Sequence, residues 1–173
     1  MQKNFSTKRL VTVALVAALY AVLTVALAPI SYGNLQFRVS ELMVLLAFFD
    51  PFYIGGLTLG CFIANLLGPN GIMDIIFGTL ATFISVTAIS LTARYSKGSK
   101  IGLCIASIWP TLFNGLIIGW MLNYLFKLPL ILTMLEVGFG EFVVVSIVGV
   151  PLFVFIMQKY PHLLSMHKKT LAK

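Results

Sequence analysis

The chain has 173 residues, 60% of them hydrophobic and only 10% charged, with a mean hydropathy of +1.02. A soluble domain carries about 25% charged residues, so a soluble enzyme, a disordered segment and a disulfide-stapled secreted domain are excluded, and an integral membrane protein is indicated. Twelve Lys and Arg against five Asp and Glu leave a net +7, but the bases cluster between apolar runs, the pattern of membrane topology rather than of a nucleic-acid-binding face.

A spanning helix needs about 20 apolar residues, and the first candidate covers residues 10–28. Lys8-Arg9, the apolar run and Ala26-Leu27-Ala28 resemble a cleaved secretory signal. The run exceeds the about 7–15 residues of a signal core, and Pro29 would sit beside the cut, so it reads as a retained span. The second candidate, 35–49, has an apolar part of about 11 residues, which would reach only about 16 Å. It must borrow 35–37 or stop inside the protein. Asp50-Pro51 predicts a tight turn, because proline disfavours the helical state of the residue before it. The remaining candidates are 52–67, 74–93, 101–126 and 128–158. Together they predict an all-α, six-helix bundle in the membrane, a single domain over 1–173.

Six spans put both termini on one face. Lys3, Lys8, Arg9, Arg94, Lys97, Lys100, Lys159, Lys168, Lys169 and Lys173 then share that face, and only Arg38 and Lys127 lie opposite. Positive residues stay inside, so both termini are expected in the cytoplasm. No internal repeat of the kind that builds many carriers is evident.

A charge in hydrocarbon costs about 2.5–3.5 kcal/mol and usually marks a pathway or a site. Arg38 and Glu41, three apart, share a helix face. Either Ser40 or Glu41 supports a helix start while Arg38 snorkels to the interface, or Glu41 contacts a ligand that Arg38 orients. Asp74 is an ordinary cap after the Gly68-Pro69-Asn70-Gly71 turn, or it joins Asn65 in a polar outer surface. Glu136 and Glu141 lie within the sixth span, either as protonated, buried glutamates bonded to a neighbouring helix or as ligand contacts where Gly138 and Gly140 allow a backbone or ligand close approach. Five residues rotate a helix by about 140°, so the two acids are not squarely on one face. Trp120 and Tyr124 form an aromatic belt or a stacking platform, with Asn123 beside them and Asn114 deeper. In the first span Ala14 pairs with Ala18 and Ala17 with Ala21, a spacing that lets a second helix come close. Cys61 and Cys104 read as small hydrophobes, and His162 and His167 as solvated tail residues. Metal-ligand clusters, phosphate loops and nucleophile elbows are missing, so no cofactor, no metal and no ATP hydrolysis by this chain are expected.

Phe37-Arg38-Val39-Ser40-Glu41, then Phe52–Gly60 running into Cys61-Phe62-Ile63-Ala64-Asn65-Leu66-Leu67-Gly68, then Asp74–Thr82 resemble the QueT family of queuosine-precursor transporters. Such proteins are substrate-binding (S) components of energy-coupling factor transporters. The resemblance implies a six-helix S component in the cell membrane that captures a 7-deazaguanine derivative from outside. Its partners would be a transmembrane coupling subunit and two cytoplasmic ATPases. It also implies that the small residues Ala14, Ala17, Ala18 and Ala21 dock on the coupling subunit.

Under that reading the substrate-binding residues are Arg38, Glu41, Asn65, Asp74, Trp120, Asn123, Glu136 and Glu141. Carboxylates would accept the N–H donors of a guanine-like edge, and Trp120 would stack on the ring. A wet cavity opening to the exterior is required. The rivals are an S component for another vitamin-like molecule, a stand-alone proton-coupled carrier, and a membrane enzyme using Glu136 and Glu141 as acid and base.

Overall fold

The computed structural model describes residues 7–33 and 35–159. Lys3, His162, His167, Lys168, Lys169 and Lys173 lie outside the described residues. The described chain is helical, with no strand. Helix α1 is Thr7–Ala26, followed by a helical turn at Ala28–Ser31. Helix α2, Val39–Phe48, is a 3-10 helix, and α3 is Tyr53–Leu66. Helix α4 is Gly71–Tyr95, and α5 is Lys100–Phe126, interrupted at Ser107. Helix α6 is Leu130–Lys159 and contains a π-helical stretch, Phe142–Gly149.

Helices α1, α4, α5 and α6 are long and apolar enough to cross a membrane, whereas α2 and α3 are apolar but shorter. The 10 residues of α2, at about 2.0 Å rise each, reach about 20 Å, and the 14 of α3 about the same. Both fall short of the about 30 Å hydrocarbon core. Where six spans are expected from the sequence, the structure has four of full length and two short helices. The fourth helix also begins earlier than expected, at Gly71. Gly71 holds a φ of +70°, which glycine tolerates without strain.

The 3-10 form of α2 has a consequence for burial. With three residues per turn, positions three apart stack on one edge. Glu41, Val44 and Ala47 fall on that edge, Arg38 and Asp50 flank the helix, and all five are buried. Helix α2 sits inside the bundle, packed on α1, α4 and the π stretch of α6. Around it α1 packs on α3, α3 on α4, α4 on α5 and α5 on α6.

Contacts fix which ends lie together. Arg9 Nη2 meets Asp50 Oδ2 at 2.7 Å, Phe49 stacks on Phe153 with centroids 5.6 Å apart, and Trp109 Nε1 donates to Thr92 Oγ1 at 2.8 Å. The start of α1, the α2–α3 turn, the α4–α5 connection and the last turns of α6 thus share one end. The described bases Lys8, Arg9, Arg94, Lys97, Lys100 and Lys159 belong to it. At the other end Tyr32 donates its hydroxyl to the Ala64 carbonyl at 2.6 Å, and Asn65 Nδ2 donates to the Asp74 carbonyl at 3.1 Å.

The surface is apolar and the interior partly polar, the inverse of a soluble fold. Leu15, Leu19, Phe83, Leu116, Leu135 and Phe139 are exposed, while Tyr20, Glu41, Asn65 and Ser85 are fully buried. A surface of this kind suits lipid. Small residues bring the rods close: a Cβ on Gly60 would stand 2.7 Å from the Ala17 carbonyl oxygen.

Candidate functional site

The buried polar residues gather where the start of α2 meets the middle of α1, the end of α3, the first half of α4 and the middle of α6. Arg38 immediately precedes α2, and its guanidinium is the centre of the outer part. Its Nη2 donates to Asn65 Oδ1 at 3.0 Å, and its Cζ lies 5.3 Å from the centroid of the Tyr32 ring. A guanidinium over an aromatic face is attracted by the ring quadrupole.

Asn65 in turn gives Nδ2 to the Asp74 carbonyl and to Cys61 Sγ, the latter at 3.3 Å. Asp74 is not the cap of α4, since Asn70 occupies that position. Its carboxylate accepts from Asn70 Nδ2 at 3.3 Å. Gly78 makes room for this arrangement: a Cβ there would stand 2.5 Å from Asn65 Nδ2 and 2.7 Å from Asp74 Oδ1.

Deeper in the bundle, Tyr20 donates its hydroxyl to Glu41 Oε1, and Thr24 and Ser40 share a hydrogen bond at 2.6 Å. Ser40 and Glu41 therefore turn their side chains inward, and neither caps the helix. Glu141, near the start of the π stretch, accepts from Asn114 Nδ2 at 2.8 Å. Gly140, next to Glu141, packs against the Gln36 backbone two residues before Arg38. Three polar atoms of this group are buried without a partner among the described residues: Arg38 Nε, Glu41 Oε2 and Glu141 Oε2. Such open valences in an apolar interior cost about 1–3 kcal/mol each, and more when charged.

The structure thus brings together Arg38, Glu41, Asn65, Asp74 and Glu141. It does not bring the other three expected residues to them. Trp120 is 40% exposed, edge-on to Phe77 and stacked on Tyr124 with centroids 5.9 Å apart, as a belt residue would be. Asn123 donates Nδ2 to the Leu128 carbonyl and ties down the α5–α6 turn. Glu136 is half-buried, with no hydrogen bond or ion pair among the described residues.

Residues not expected in the site from the sequence also belong to the cluster: Tyr20, Thr24, Ser40, Thr82 and Cys61. Cys61, expected to be a small hydrophobe, accepts from Thr82 Oγ1 at 3.2 Å and from Asn65. The i, i+4 spacing of Tyr20 with Thr24 and of Cys61 with Asn65 is the signal the sequence offers, since such pairs share a face.

The expected wet cavity beside the acids is not open. Arg38 is 6% exposed and Glu41 and Asn65 not at all, so side chains pack the space. A groove of about 380 Å³ opens sideways between α5 and α6, lined by Leu112, Gly115, Leu116, Leu135, Gly138 and Phe139 among others. Among the described residues Thr111 is the one hydroxyl in its lining, so a polar heterocycle there would bury most of its N–H groups without partners.

The small residues of α1 split between two faces. Ala17 and Ala21 are buried at 3% and 6%, with Ala17 against Gly60. Ala14 and Ala18 are exposed on the outer face.

A family model described as QueT transporter matches residues 10–158. The queuosine precursor transporter QueT of Lactococcus lactis subsp. cremoris (strain MG1363) is 46% identical over 84 residues. That alignment covers 47% of this chain and 49% of the relative, so the chain spans about half the length of the curated relative it matches. No solved structure matches the chain.

Proposed function

We propose a function from one premise: the chain belongs to the QueT transporter family. Membership makes it a membrane transport protein and not an enzyme. In our reading it is the S component of an ATP-driven energy-coupling factor importer, and its ligand is a queuosine precursor of the 7-deazaguanine type. The name of the lactococcal relative supports the ligand class.

The observation that carries the reading is the buried cluster of Arg38, Glu41, Asn65, Asp74 and Glu141, with unpartnered atoms on three of them. Groups of this cost are kept in a membrane interior for a guest. In the proposed orientation the base-rich end is cytoplasmic, so the Arg38 end faces the exterior and receives the ligand. The outward pair Ala14 and Ala18 is the part of the small-residue stripe left for the coupling subunit, while Ala17 and Ala21 are used inside the chain. Energy comes from two partner ATPases. Six membrane segments are retained in this reading, with α2 as a short one enclosed by its neighbours and α3 as a short one in the outer ring.

Calorimetric titration of the purified chain with 7-cyano-7-deazaguanine, its aminomethyl counterpart, guanine and common vitamins tests the proposal. Tight one-to-one binding of a deazaguanine without turnover is expected. Glu41→Gln should weaken it by about 1.5–3 kcal/mol, the worth of a charge-assisted hydrogen bond. Absence of deazaguanine binding overturns the ligand assignment. Uptake driven by a pH gradient in cells lacking the partner ATPases would favour a stand-alone carrier instead.

A further inference from the structure

The two glutamates of the cluster are each half committed to the protein. Tyr20 holds Glu41 Oε1, and Asn114 holds Glu141 Oε1. Oε2 of both acids and Nε of Arg38 are buried and unpartnered among the described residues. The residues that carry them are neighbours: Gly140, next to Glu141, packs against the Gln36 backbone two residues before Arg38, and α2, which carries Glu41, packs on the π stretch that follows Glu141.

A carboxylate with two free oxygens can grip a pair of parallel N–H donors by itself. Neither acid here has two. We propose that the ligand, admitted when the packed side chains part, is held in a split grip: one N–H on Glu41 Oε2, a second on Glu141 Oε2, and an acceptor on Arg38 Nε. Tyr20 and Asn114 are positioning residues, each turning its acid so that a single oxygen is offered. The inference rests on the deazaguanine reading and states how that site reads its guest.

The open set, one donor with two acceptors, complements an edge bearing one acceptor and two donors. A guanine-type edge has this pattern in its carbonyl, ring N–H and exocyclic amine. A hypoxanthine-type edge lacks the second donor and would leave one acid unpaired. An adenine-type edge offers a ring acceptor and an amine, and also leaves one acid unpaired. A site built to pair a group rejects the analogue that lacks it, because its own buried partner is then stranded.

The test uses the full chain, purified in detergent, with 7-cyano-7-deazaguanine and its 2-deamino analogue. On the wild type the analogue should bind about tenfold or more weakly, as expected for a lost hydrogen bond to a charged group. Glu41→Gln and Glu141→Gln should each weaken the parent ligand by a similar factor. The penalty for the missing amine should shrink in one of these variants and persist in the other. A penalty that persists in both, or shrinks in both alike, overturns the split grip.

A second measurement needs no variant and holds even where an acid variant fails to fold. With carbon-13-labelled glutamate, infrared difference spectra should show two glutamate carboxyl bands shifting on binding of the parent and one on binding of the analogue. A single shifted band for the parent overturns the proposal. Failure of the wild type to bind 7-cyano-7-deazaguanine at all is a different result, which overturns the functional reading beneath it.

Discussion

Arg9 and Arg38 stand at opposite ends of the bundle. Arg9 meets Asp50 directly at 2.7 Å and lies over the Phe52 ring, 5.2 Å from its centroid. The other oxygen of Asp50 accepts the Phe52 amide at 2.9 Å. Both oxygens of Asp50 have a protein partner, and the pair holds the start of α1 against the α2–α3 turn. Arg38 is more deeply buried and has no ion pair among the described residues. It donates to the Asn65 amide oxygen and, at 3.8 Å, to Cys61 Sγ, and lies over an aromatic face, with no carboxylate in direct contact among the described residues. A structural ion pair closes its own valences. The cluster at Arg38 leaves them open at a cost that packing alone does not offset.

The contrast can be broken most sharply at the two arginines themselves. Arg38→Met should destabilise the chain by about 3–5 kcal/mol, since it strands Asn65 and leaves buried acids without a nearby cation. Thermal unfolding in detergent reads this. Next in size is the split on α1. Ala17→Leu should lower stability by about 1–3 kcal/mol through overpacking against Gly60. Ala18→Leu should leave both stability and ligand binding unchanged and abolish uptake in cells carrying the ATPases. Equal effects of the two would show that the stripe does not divide as proposed. Arg9→Met should cost about 1 kcal/mol or less, because its partly exposed side chain is screened by solvent. A loss as large as that of Arg38→Met would erase the distinction between the two arginines. The smallest effect belongs to Trp120→Leu, whose deazaguanine affinity by calorimetry should match the wild type; a drop of tenfold or more would return Trp120 to the site.

Much of the cluster is legible in the sequence. Arg38, Glu41, Asn65, Asp74 and Glu141 stand out because each is polar in a run that is otherwise apolar, and their cost in lipid marks them. The i, i+3 relation of Arg38 and Glu41 survives at the start of the 3-10 helix, where the Glu41 amide donates to the Arg38 carbonyl at 2.9 Å. Glu136 carries the same sequence signal as Glu141, yet only Glu141 meets the cluster. About 140° of rotation separates the two, and nothing local says which direction faces inward. The Ala14–Ala18 and Ala17–Ala21 pairs are only about 60° apart. The position of Gly60 on the neighbouring helix decides which pair is covered.

Composition and the lengths of the apolar runs determined that this chain is a helical membrane protein. In lipid each segment must close its own backbone hydrogen bonds, and a helix does so without distant partners. The tertiary structure alone decided which side chains meet. Tyr20 and Glu41 are 21 residues apart, Arg38 and Asn65 27, and Asn114 and Glu141 27. Contacts over such separations depend on how closely the rods approach at glycines and on the unusual pitch of α2 and of the π stretch in α6. Neither condition is written in the local pattern of residues.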